Sequence, residues 1–102
     1  MVKSKNAEVE AVVKKIKSVV VELGENLKAN RFDEAYENAN ILQSELKNEL
    51  LLEMTGKELE QELHFEELKQ TLKRYWYNNK QKRMYEGGLR KNGEVLLSLL
   101  NW

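Results

Sequence analysis

The chain has no cysteine and no proline, and only five glycines among its 102 residues. Without cysteine there is no disulfide and no thiolate zinc site, so a disulfide-stapled secreted scaffold is excluded and a reducing, cytoplasmic setting is expected. Without proline no helix has to break at a ring, and the abundant Leu, Glu, Lys and Asn lean the chain towards helix. The start, MVKSKNAEVE, lacks the apolar run of a signal peptide, and the longest apolar cluster, VLLSLL, is far too short to span a bilayer. Patterns that carry chemistry are missing as well. The serines are Ser4, Ser18, Ser44 and Ser98, none in a Gly-x-Ser-x-Gly elbow, and Gly87-Gly88 lacks the spacing and the following Lys-Ser or Lys-Thr of a phosphate-binding loop. Paired carboxylates such as Glu66-Glu67 are ordinary on helix surfaces. The expectation is a protein with neither enzymatic chemistry nor a cofactor.

Apolar residues make up 41% of the chain and charged residues 33%, a balance that favours folding around one core, here a single domain over residues 1–102. Net charge is zero but unevenly spread. Met1 to Leu68 hold nine Lys or Arg against fifteen Asp or Glu, and Lys69 to Trp102 hold eight against two, so −6 is followed by +6. Either the two parts neutralise each other across helix faces, or the basic end is kept for a partner.

The apolar spacing predicts an all-α fold: a small, antiparallel, roughly up-and-down bundle of three main helices, about 7–29, 30–54 and 57–85, plus a short C-terminal helix, about 94–101. In the first, Val9, Val12, Val13, Ile16, Val19, Val20, Leu23 and Leu27 share one stripe, with Asn6 as N-cap and Glu8 and Glu10 suiting the helix dipole. The second opens at Asn30, with Asp33 answering it as in a capping box, and carries Phe32, Ala35, Ala39, Leu42, Leu46 and Leu50 inward. Its turn, NRFDEA, resembles the turn between the paired helices of tetratricopeptide-type repeats, whose second helix often opens with an aromatic, an acid and an alanine. That likeness covers one turn with no second copy at the repeat period, so it reads as a generic helical hairpin. Thr55 and Glu58 form a further capping box, and Gly56 can end the preceding helix. In the third helix Leu59 and Leu63 lie roughly 140 degrees round from Phe65, Leu68, Leu72 and Tyr75 at the helical pitch, which predicts a kink near His64 or contact with two neighbours. Gly87-Gly88 should end it. Asn92-Gly93 is a hairpin signal, but its flanks do not alternate, so a helix from about Glu94, capped by Asn92, is preferred.

The most informative stretch is KQTLKRYWYNNKQKRMYEGG. On a helix, Lys69, Lys73, Trp76, Lys80 and Arg83 form one stripe beside the apolar seam, with Tyr77 next to Trp76. Such a stripe can grip an acidic protein surface, with Trp76 and Tyr77 as anchors, or a nucleic acid, whose phosphates need regularly pitched cations and whose bases stack on indoles. A plainer reading has Trp76 cap the edge of the core while the cations pair with Glu45, Glu49 or Glu53.

Two other features are weaker. His64, with Glu60 and Glu67 about a turn to either side, suggests a metal site, yet a carboxylate-bridged site needs an acid where Gln61 stands, so no metal is expected. The tail EVLLSLLNW must be covered, either by closing its own bundle or by sharing Leu96, Leu99, Leu100 and Trp102 with a second copy in a homodimer. The expected function is non-enzymatic protein binding in a regulatory, adaptor or inhibitory role. Nucleic-acid binding by residues 69–91 is the alternative, and an immunity or phage-type helical protein is a third possibility.

Overall fold

The structure, a computed structural model, describes residues 7–80 and 86–99. Its elements are α1 (Ala7–Lys28), α2 (Phe32–Leu46), a 3-10 turn (Glu49–Glu53), α3 (Gly56–Leu63), α4 (Phe65–Lys80) and α5 (Glu86–Ser98). The all-α reading stands, with no strand among the described residues. Among the described residues five α-helices stand where three main helices and a short one were expected, and several boundaries differ. Among the described residues no helix is long and apolar enough to cross a membrane.

The centre of the fold is α1, whose predicted stripe from Val9 to Leu27 is buried at every position. Against it pack α2, the 3-10 turn, α3 and α5. Asn6, the expected N-cap, lies outside the described residues. At the other end Asn30 does not cap α2. It takes the left-handed conformation, φ 62°, and closes α1: its N–H donates to Leu27 O at 3.2 Å while the Arg31 N–H donates to Asn26 O at 2.8 Å. This pair of bonds satisfies two terminal carbonyls, and asparagine tolerates the positive φ it requires. The start of α2 falls to Arg31, which makes no side-chain cap bond.

The second helix stops at Leu46, eight residues short of the expected boundary. Asn48 Oδ1 accepts from Leu50 N at 2.9 Å and starts the 3-10 turn. Its three-residue period turns Leu51 and Met54 into the core and leaves Leu52 facing out. The Thr55 capping box is present: Glu58 N donates to Thr55 Oγ1 at 3.1 Å, and Thr55 N donates to Glu58 Oε1 at 2.8 Å.

The expected third helix is divided in two at His64, which sits at φ 49°, ψ 50° between α3 and α4. The break is how the chain resolves the phase change, because one re-aimed residue lets Leu63 and Leu68 both reach full burial. A left-handed non-glycine residue costs about 1–2 kcal/mol, and Glu60 helps to offset it by accepting from the exposed Glu66 N–H at 2.7 Å. The expected run to residue 85 extends beyond the described part of α4.

The largest correction is at α5, which begins at Glu86 rather than Glu94 and contains Gly87, Gly88, Asn92 and Gly93 in helical conformation. The hairpin alternative falls with it. Glycine and asparagine act here as packing residues. A Cβ on Gly93 would lie 2.8 Å from Gly24 O, and one on Gly24 would lie 2.8 Å from Leu97 Cγ, so α1 and α5 cross with their backbones in contact. Asn92, buried, accepts from Asn78 Nδ2 of α4 at 2.9 Å.

This crossing predicts an ordered set of stabilities. Gly93→Ala drives a Cβ into backbone and should cost about 1–3 kcal/mol even against the ~1 kcal/mol that alanine gains in helix propensity. Gly24→Ala, opposed mainly by a side chain that can turn, should cost less. Gly56→Ala meets nothing within 4 Å and should be neutral or stabilising. Urea unfolding of the three variants checks the order, and equal stability of the first and third would remove the crossing. In the same experiment Leu42→Ala, at a fully buried position, should cost about 2–5 kcal/mol.

Candidate functional site

Of the predicted stripe, Lys69, Lys73, Trp76 and Lys80 lie on α4 with Tyr77, and Arg83 is outside the described residues. Lys73 and Lys80 are exposed, Lys69 and Trp76 are half-buried, and Tyr77 is 60% exposed. The inner face of the same helix carries Leu68, Thr71, Leu72 and Tyr75 into the core.

Trp76 is wedged between two rings. Tyr36 of α2 meets it edge-on at 5.7 Å with planes 89° apart, and Tyr75 meets it at 5.1 Å and 65°. The indole is therefore fixed at the edge of the core. Thr71 Oγ1, Tyr75 OH and Trp76 Nε1 are all buried without a hydrogen-bond partner among the described residues. Those apolar surroundings push the Tyr75 phenol from 10.0 up to about 12 through burial, with a further contribution from Tyr36.

Beside Trp76, α2 and α4 leave an open groove of about 340 Å³, lined by Gln43, Leu46, Lys47, Lys69, Leu72, Lys73 and Trp76. Its floor is apolar and its rim carries three lysines. Lys69 is held in place by Glu66 at 3.2 Å and by the Phe65 ring, 4.7 Å from its Nζ. Lys47 and Lys73 have no carboxylate partner among the described residues. One acid of α2 and one of α3 are taken up by α1: Glu45 pairs with Lys15 at 3.4 Å and Glu62 with Lys17 at 3.8 Å. A second cleft, about 270 Å³ between α1 and α3, is lined by both signs of charge, Glu10 and Glu62 with Lys14 and Lys17. The charged side chains that line the α2–α4 groove are all lysines.

Sequence reasoning missed Gln43, Lys47 and the groove role of Leu46 and Leu72. Lys47 follows the last residue of α2, a position hidden while that helix was expected to continue to residue 54. Leu46, half-buried, and Leu72, buried, both have the periodicity of core residues, so position at a groove leaves no separate trace.

His64 serves the chain path, and among the described residues no three His, Asp or Glu side chains converge as metal ligands. Leu96 and Leu99 are buried, at 1% and 5% exposure, so sharing them with a second copy would require α5 to leave the core. Leu100 and Trp102 lie outside the described residues. A scan against protein-family models, a search of curated proteins and a search of solved structures each found no match.

The buried phenol generates a pH test. Because Tyr75 ionises at about 12 in the fold and at 10.0 when free, its contribution to stability is complete below pH 10 and is lost as pH rises towards 12. Absorbance titration should show one of the four tyrosines lagging the rest. Tyr75→Phe should lose both the lag and the stability change across that window. Ionisation of all four together near pH 10, with the fold intact, would contradict the burial.

Proposed function

We propose that the protein is a non-enzymatic, cytoplasmic helical module that binds another protein through the α2–α4 groove, in a regulatory, adaptor or inhibitory role. In this reading the helices form one antiparallel, up-and-down domain and the groove is the seam between α2 and α4. The observation that carries the proposal is the combination of an apolar floor, Leu46, Leu72 and Trp76, with a rim of one sign, Lys47, Lys69 and Lys73. A surface of that kind fits an amphipathic acidic segment, whose apolar residues lose water on the floor while its carboxylates meet the lysines.

The same cations would suit phosphates, and the magnitudes decide against it. Stacking on a base is worth about 1–3 kcal/mol, but Trp76 already has two edge-on ring contacts worth about 0.5–1.5 kcal/mol each. Turning the indole out would forfeit most of the gain. The six excess acids of residues 1–68 also oppose a phosphate backbone.

The test compares the wild-type chain with Trp76→Ala and with the double variant Lys47→Glu, Lys73→Glu. A protein retained by the wild type should be lost from both variants, through a faster off-rate for the first and a slower on-rate for the second. Random single- and double-stranded oligonucleotides should not bind at physiological salt. A sub-micromolar complex whose log K falls with log salt by about 0.7–0.9 per phosphate contact would transfer the function to nucleic acid.

A further inference from the structure

The most exposed large apolar side chain described is Leu52, at 84%, and it projects from the 3-10 turn between Glu49 and Glu53. A lone exposed leucine is unremarkable in itself. This one stands on an acidic turn, a leucine flanked by carboxylates, and the groove is its converse in charge: an apolar floor under Lys47, Lys69 and Lys73. The two surfaces are also neighbours in the chain, since the turn begins two residues after Lys47. Its own turn is held away by Leu51 and Met54, which are buried.

We infer that the groove takes the Glu49–Glu53 turn of a second copy of this chain, with Leu52 seated on Leu72 and Trp76 and the turn's carboxylates against the rim lysines. For each copy to give its turn and receive the other's, the two contacts must repeat about a single two-fold axis. That is the condition for a closed, isologous dimer rather than an open chain of copies. The contact differs from one made through Leu96 and Leu99, because it uses surface already exposed and asks no helix to leave the core. It rests on the same reading of the groove as a docking surface, and names one occupant.

Sedimentation equilibrium of the full chain tests it. A contact confined to one turn and one groove belongs with the small, weak class of interfaces, so mass should rise from one chain towards two only as the chain becomes concentrated. Leu52→Glu should weaken association about tenfold or more with an unchanged circular dichroism spectrum. Reversing the turn (E49K/E53K) or the rim (K47E/K73E) should each weaken it, and the four changes together should restore it, because opposite charges then face each other again. A chain monomeric throughout, a dimer indifferent to Leu52→Glu, or a quadruple variant without rescue overturns the inference, as does mass growing beyond two chains. A monomer that still retains a protein through Trp76 overturns this inference alone; a dimer that retains none overturns the function proposed above and leaves this one standing.

Discussion

The seating of α5 on α1, and through it the place of α4, depends on the contact between Gly24 and Gly93. With no side chain at either position, α5 settles directly on α1, Leu97 lies over Gly24, and a Cβ on Gly93 would come 2.9 Å from Leu27 Cβ. Close-packed interiors transmit such a spacing, because a helix that moves outward leaves voids along its whole face. The Asn78–Asn92 bond then ties α4 to α5. On the opposite side Asn26 Nδ2 donates to Asn38 Oδ1 at 2.7 Å, and Asn38 Nδ2 to Glu22 Oε1 at 3.2 Å, fixing α2 on α1. The groove between α2 and α4 is thus positioned by contacts on both of its sides, with Leu72 in the core and Trp76 packed against Tyr36 of α2.

Local periodicity was legible in the sequence and long-range contact was not. The α1 stripe could be read residue by residue because one buried face at 3.6 residues per turn leaves an unambiguous trace. The Thr55 capping box was legible for the same reason, its partners being three residues apart. Asn30 was misassigned because asparagine suits both an N-cap and a left-handed C-terminal position, and only the path of the chain distinguishes them. The phase change at His64 was visible, but a kink and a full break give the same pattern. Gly87, Gly88, Asn92 and Gly93 are the residues of turns. Here the small size of Gly88 and Gly93 and the amide of Asn92 are used against Gly24, Lys28 and Asn78, residues distant in sequence. Of the site, the α4 cations and Trp76 could be found by spacing along one helix, whereas Lys47 joins them only through the packing of two.

The charge map follows from the same arrangement. Lysines of α1 meet acids of α2 and α3, through Lys15–Glu45 and Lys17–Glu62, and so take up carboxylates that might have neutralised α4. Such exposed pairs are worth about 0–1 kcal/mol each, too little to hold the helices in place. Their effect is on where charge remains. Lys47 and Lys73 keep theirs beside an apolar floor, where a partner's carboxylate would be partly shielded from water and would interact more strongly than on an open surface.

A groove that accepts both a partner and the acidic turn of a second copy ties availability to concentration. Any partner competes with self-association, and its apparent affinity falls by the fraction of chains already paired. For the weak dimer proposed above, that fraction is small where the chain is dilute, which would leave the groove open to a partner. Where the chain is concentrated, the proposed pairing would have copies cover one another's Leu52 and Trp76. Such a pairing would close the exposed apolar surface two copies at a time, with the surrounding charges opposing the open-ended association that an uncovered patch invites.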